Sequence, residues 1–186
     1  MSTVGQARAT LEDLYQTPGK AELIGGRIIP YMATGVRPNE VAGNIYVSLR
    51  SHSAKTKRGK AFTDNMGYAV AELPSGRESF SPDASYYDGP LPMNLMRFIE
   101  SAPNFAAEVR SENDYTALAE LEMFAKRSDY FLAGTLVVWD VDPIAETIKV
   151  YRASSPQQAT IYRRGDIAEA DPAVPGWRIA VDEVFA

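Results

Sequence analysis

Cysteine is absent from the 186 residues, and His52 is the single histidine. Disulfides, thiolate zinc sites and cysteine nucleophiles are thereby excluded, as is any metal site built on several histidines. Whatever chemistry the chain performs falls to carboxylates, Lys, Tyr, Ser and Arg. No apolar run approaches the roughly 20 residues that a membrane span needs, so no membrane association is expected. The opening Met1-Ser2-Thr3-Val4-Gly5-Gln6 lacks the charged and apolar regions of a secretory signal, which makes the cytoplasm the expected location. Positive charge is also scarce. A net charge of −5 argues against a surface coated for bulk nucleic-acid binding. Yet Arg50, His52, Lys55, Lys57, Arg58 and Lys60 crowd into eleven positions with no acid among them. Such a run reads first as a solvated helix end and loop, and second as a local patch for phosphate.

What is present is ordinary for a globular chain: 45% hydrophobic and 23% charged residues, in a length that fits one domain with room for a core. Residues 7–16 read as a short helix, with Thr10 as cap and Leu11, Leu14 and Tyr15 as its apolar stripe. Two short apolar runs around Gly25-Gly26 signal a hairpin over 21–29, with Glu22 on its first arm as a strand-face acid. Arg37-Pro38-Asn39 opens a helix carrying Val41, Ile45, Tyr46 and Leu49 at helical spacing, closed after the basic run by Gly59. Residues 61–73 and 78–87 read as strands joined by a turn at Pro74-Ser75-Gly76, the second bending at Pro82-Asp83. A loop and short helix are expected over 88–101.

Phe105 to Val109 then reads as a short buried strand. Alternation puts Glu108 and Arg110 on one side and Phe105, Ala107 and Val109 on the other. Asp114 to Ala133 reads as the second long helix, with Leu118, Leu121, Phe124, Ala125, Phe131 and Leu132 as its core-facing stripe and Gly134 at its end. The continuous apolar run Thr135–Trp139 looks like an interior strand, so strand, helix and strand imply a parallel pair. Thr147–Arg152 and Ala159–Arg163 look like a closing antiparallel pair. The expected architecture is a single mixed α/β (α+β) domain over 1–186, with its core from about residue 20 onward.

Asp83 and Glu108 lie 25 residues apart, at the bend of one strand and the middle of another. Two carboxylates on neighbouring strands supply the oxygen ligands that Mg²⁺ prefers, leaving positions for water and a substrate phosphate. That arrangement suits phosphodiester hydrolysis. Spacing alone does not single out this pair among 24 acids.

Taken together, Pro82-Asp83, Glu108-Val109-Arg110-Ser111, Lys126 with Tyr130 and Gly134, and Trp139 with Asp142-Pro143 resemble a bacterial family known as putative restriction endonucleases. That family lies within the PD-(D/E)XK nuclease superfamily. Glu22-Leu23-Ile24-x-Gly26 resembles its opening motif, and Pro175-Gly176-Trp177 with Val184-Phe185 its ending. The likeness runs from about residue 20 to the end.

The resemblance implies a restriction endonuclease-like fold, a mixed central sheet flanked by helices. It implies a Mg²⁺- or Mn²⁺-dependent endonuclease acting on DNA, with Asp83 and Glu108 holding the metal, Lys126 serving the attacking water and Glu22 as a further catalytic acid. The superfamily pattern puts Lys two residues after the Glu. Arg110 stands there and stays protonated, so it cannot be a base. Asn39 departs from the family's His, and Glu112 from its Pro. Cutting both strands calls for two sites related by a two-fold axis, hence a homodimer. Arg50, Lys55, Lys57, Arg58 and Lys60 are the first candidates for phosphate contacts. The rival reading is the same fold as a catalytically silent binding or oligomerisation module. A glycosidase-type acid pair is a remote third, needing neither metal nor lysine. On the helix itself Lys126 falls opposite the apolar stripe, with Glu122 one turn back as a surface partner, whereas Tyr130 reads as packing and Trp139 as core.

Overall fold

The computed structural model describes residues 7–186. The opening Met1–Gln6, read above for a secretory signal, lies outside the described residues. Along the chain come α1 (Leu11–Tyr15), β1 (Ala21–Ile24), β2 (Arg27–Pro30), α2 (Val36–Thr56), β3 (Lys60–Thr63), β4 (Tyr68–Ala69), β5 (Ser79–Phe80) and β6 (Ala84–Tyr87). There follow β7 (Phe105–Val109), α3 (Ala117–Leu132), β8 (Val137–Asp142), β9 (Thr147–Arg152), β10 (Ser155–Arg163), β11 (Ile167–Glu169), β12 (Arg178–Ala180) and α4 (Val181–Val184). No helix among the described residues is long and apolar enough to cross a membrane.

A six-stranded mixed sheet organises these elements in the order β10-β9-β8-β7-β6-β3. β7 and β8 run parallel, from Phe105 opposite Val137 to Val109 opposite Val141, joined by the α3 crossover expected from the sequence. The other neighbours are antiparallel. β1 and β2 form the hairpin around Gly25-Gly26, both at positive φ, +59° and +68°, which side chains other than glycine rarely adopt.

One face of the sheet is apolar throughout. Phe105, Ala107, Val109, Trp139 and Val150 meet Val41, Ile45 and Leu49 of α2 and Trp177, Val181 and Phe185 of the closing segment. Trp139 stacks on Trp177 with ring centres 5.0 Å apart. Each such side chain contributes about 1.5–3 kcal/mol when fully buried. The other face carries a smaller cluster of Tyr68, Phe80, Tyr87, Ala106, Tyr130 and Val138. Glu108 follows Ala106 onto that second face by strand alternation.

Four readings of the sequence need correction. α1 is five residues long, although Thr10 does cap it, its side chain accepting from the Asp13 N–H. The strands expected over 61–73 and 78–87 are each broken in two: β3 pairs with β6 in the main sheet, while β4 pairs with β5 separately. Ser81-Pro82-Asp83 makes the break, consistent with a proline that cannot donate to a ladder. Residues 88–101 hold turns and no helix.

The fourth correction concerns α3. It starts at Ala117 with Thr116 as cap, and it faces the opposite way from its hydrophobicity pattern. Leu118, Leu121, Phe124 and Leu132 are exposed, whereas Ala119, Asp129 and Tyr130 are buried; of the expected stripe, Phe131 alone packs against the second cluster. What turns the helix is the chemistry waiting on the sheet.

Candidate active site

Glu22 sits in the middle of β1 and is 0% exposed. A buried carboxylate needs partners for its charge, and Glu22 has them on both oxygens. Its Oε1 accepts from the Ser81 N–H at 2.9 Å and lies 3.1 Å from Lys126 Nζ. Its Oε2 accepts from the Tyr31 hydroxyl at 2.9 Å and from the Arg77 guanidinium. Arg77 reaches on to Asp129 of α3 at 2.9 Å. Burial pushes the Glu22 carboxyl upward, but Lys126 and Arg77 outweigh it and hold the pKa down to about 2.

Lys126 Nζ donates to Glu108 Oε2 at 2.8 Å, and the Tyr130 hydroxyl donates to Glu108 Oε1 at 2.6 Å. One helical turn separates Lys126 from Tyr130, so both reach the same carboxylate from the inward face of α3. Burial raises the Glu108 pKa; Lys126 and Lys20 pull it down, while Asp83 and Glu22 push it further up. For Lys126 burial disfavours the ammonium, yet Glu108 and Glu22 hold its pKa above the ordinary lysine value. It stays charged. The Tyr31 hydroxyl, desolvated against the Glu22 carboxylate, is pushed up to about 12 and remains a donor.

Asp83 lies in the break before β6. Its Oδ2 accepts from the Val109 N–H at 2.7 Å, which ties it to the residue after Glu108. Its Oδ1 accepts from Lys20 Nζ at 2.7 Å, and the same ammonium reaches Asp64 Oδ1 at 2.6 Å. Lys20 is held above the usual lysine range because Asp83 and Glu108 outweigh its burial. Two ammonium groups thus flank two carboxylates.

The sequence-derived candidates Glu22, Asp83, Glu108 and Lys126 therefore converge on one end of β1, β6 and β7. The basic run does not join them. It lies at the end of α2, on the other face of the sheet, and Lys60 pairs with Tyr87 at the end of β3 far from Asp83. Arg58 is tied to Asp88. Arg110, two residues after Glu108, is locked in a bidentate pair with Asp140, at 2.7 and 2.8 Å, and also reaches Glu120. It braces the end of β7 and α3. A surface groove of about 560 Å³, lined by Ser48, His52, Lys55, Trp177 and Arg178, lies on the α2 side and contains none of the clustered acids.

Lys20, Tyr31, Asp64, Arg77 and Asp129 were not singled out from the sequence, and Tyr130 was read as packing. Tyr130 carried a usable signal, four residues after Lys126 on the same helical face. The others reach the cluster across separations such as 52 residues for Arg77 to Asp129 and 63 for Lys20 to Asp83.

Asp83 and Glu108 offer hard oxygen ligands and are 20% and 21% exposed, so water and a phosphate can reach them. Glu22 does not fit as a ligand, being sealed from solvent with both oxygens taken by Lys126, Arg77, the Tyr31 hydroxyl and the Ser81 N–H. Among the described residues no three acids, histidines or cysteines are placed so that all could hold one metal ion. Two carboxylates suit Mg²⁺, which keeps several waters when so held.

The architecture is that of a nuclease fold: it is similar to the crystal structure of a putative nuclease belonging to DUF820 from Anabaena variabilis, with a TM-score of 0.75 over 95% of this chain and 97% of that one, at 19% identity. Among curated proteins, nothing matches the chain. The family is nonetheless defined. Residues 8–182 match the Uma2 family, described as "putative restriction endonuclease", and the chain belongs to that family. Membership supports a nuclease-type activity and agrees with the resemblance carried by the Asp83, Glu108 and Lys126 motifs.

Proposed function

We propose that this chain is a divalent-cation-dependent endonuclease acting on the phosphodiester bonds of DNA. The observation that carries the reading is the meeting of Glu22, Glu108 and Lys126 from β1, β7 and α3, with Asp83 beside them. Asp83 and Glu108 are the residues that would hold Mg²⁺ or Mn²⁺. When bound, the cation lowers the pKa of a coordinated water and offsets charge on the phosphorane-like transition state.

The protein's own groups do the rest. Lys126 is a fixed positive charge that orients the attacking water and offsets charge on the phosphoryl oxygens. Its raised pKa makes it a poor base at neutral pH. Glu22 acts through Lys126 as a positioning residue, and Tyr130 orients Glu108. Lys20 and Asp64 brace Asp83 from the solvent side.

A silent nuclease-fold module is the second reading, favoured by one observation: all four oxygens of Asp83 and Glu108 already accept from protein donors. Cleavage of supercoiled plasmid separates the two. Wild type nicks DNA with Mg²⁺ or Mn²⁺; Asp83→Asn, which weakens the cation site, and Lys126→Met, which removes a transition-state donor, each reduce the rate by about 10²–10³. Folded wild type that cleaves neither double- nor single-stranded DNA with either cation supports the silent module instead.

A further inference from the structure

We propose that Lys20 is a built-in counter-ion that competes with the divalent cation for Asp83, and that Asp64 keeps its ammonium within reach when the cation enters. This inference rests on the reading of Asp83 and Glu108 as the residues that would hold that cation, and it adds what governs their affinity for it.

Every oxygen of Asp83 and Glu108 accepts from a protein donor, but the four donors differ in what holds them. The Val109 N–H on Asp83 Oδ2 belongs to the backbone of β7. The Tyr130 hydroxyl on Glu108 Oε1 comes from a fully buried side chain. Lys126, on Glu108 Oε2, is anchored from behind by buried Glu22 at 3.1 Å. Lys20 is held otherwise. Its Nζ lies 2.7 Å from Asp83 Oδ1 and 2.6 Å from Asp64 Oδ1, so it can release one carboxylate and keep the other. Asp64, in the turn after β3, is the more open of the two, its side chain 38% exposed against 20% for Asp83.

The Lys20 backbone is fixed. Its carbonyl accepts from the Tyr31 N–H at 2.9 Å, just beyond the Ala21–Pro30 pair of the hairpin. What can move is the four-carbon stem, which is flexible and carries a compact point charge. Charge points the same way. An ammonium and a metal ion at one carboxylate repel, strongly in a partly buried site. Lys20 therefore offsets the acids while no metal is present and opposes any cation approaching Asp83. Behind the site, Arg77 and Lys126 offset Asp129 and Glu22, which leaves Lys20 alone against Asp64, Asp83 and Glu108. Two formal negative charges remain, and one divalent ion offsets them with Lys20 still in the cluster, on Asp64.

Calorimetric titration of the full chain with Mn²⁺ alone, without DNA, tests this, with circular dichroism to confirm folding and urea denaturation of the metal-free proteins alongside. Lys20→Gln binds Mn²⁺ at least ~10-fold more tightly than wild type, yet is less stable without metal because Asp64 and Asp83 are left to repel. A merely structural lysine would lower stability without tightening binding. Lys20→Arg keeps the charge and stays within ~3-fold of wild-type affinity. Asp64→Asn removes the second carboxylate and weakens binding at least ~3-fold, a result that does not depend on the folding of Lys20→Gln. Equal or weaker binding by Lys20→Gln, equal tightening by Lys20→Arg, or unchanged affinity in Asp64→Asn overturns the proposal. Absence of Mn²⁺ binding in all four proteins overturns it together with the cation site. The expected order of affinities in a protein that cleaves no DNA upholds it while the nuclease reading fails.

Discussion

The two long helices of this protein lie on opposite faces of one sheet and obey opposite rules. α2 does what its periodicity predicts: Val41, Ile45 and Leu49 go in, and its polar residues face water. α3 has the more marked apolar stripe and turns it outward, presenting Lys126, Asp129 and Tyr130 to the sheet. The difference is what each meets. α2 meets Phe105, Ala107 and Trp139, and apolar contact decides its rotation. α3 meets Glu22, Arg77 and Glu108, buried charges that cost several kcal/mol each unless paired. Pairing them outweighs the burial of a few leucines at about 1.5–3 kcal/mol each. A face committed to chemistry overrides the hydrophobic pattern.

The largest way to break this comparison is to remove the charge that α3 is built around. Glu22→Gln leaves Arg77 and Lys126 short of a buried anion, and stability falls by about 3–5 kcal/mol in urea denaturation. Ile45→Ala on the α2 face costs a comparable 2–5 kcal/mol through a cavity, but it leaves the response to divalent cations unchanged, whereas Glu22→Gln weakens both. A Glu22→Gln protein of wild-type stability contradicts the account of α3.

Acid sharpens the contrast between the two carboxylates. The folded pKa of Glu22, about 2, lies below its unfolded value of about 4.3. Its contribution is therefore complete above the unfolded value and is lost as pH falls toward 2. Glu108 is shifted the other way, chiefly by burial, so the folded state gains relative stability as pH falls and Glu108 takes up a proton. Glu108→Gln accordingly raises the melting temperature of the metal-free protein at neutral pH, and the gap to wild type narrows as pH falls. A gap that widens toward acid contradicts the assigned direction.

The smallest effect belongs to the outward face. Leu118→Gln, measured where the chain is monomeric, changes stability by no more than about 0.5 kcal/mol, because no packing is lost. A cost of several kcal/mol, seen in the urea midpoint, would mean that this face is covered.

How much of this was legible in the residues depends on range. The parallel β7–β8 pair, the Gly25-Gly26 hairpin and the alternation that sends Glu108 away from Phe105 are local consequences of period and turn chemistry, and all are present. The four candidate site residues came from motifs, and they converge. What the sequence concealed is non-local. Lys20 reaches Asp64 and Asp83, and Arg77 links Glu22 to Asp129, through contacts no period encodes. Periodicity identifies α3 as a helix but not which face meets the sheet. That choice depends on ion pairs between residues distant in the chain.

The central claim is that Asp83 and Glu108 together seat a divalent cation. Thermal melts of wild type and Asp83→Asn, each with and without Mn²⁺, test it most directly. With Mn²⁺ at about 100 times its dissociation constant, wild type gains about 2.7 kcal/mol and Asp83→Asn almost none. An equal gain in both proteins places the cation elsewhere and contradicts the claim.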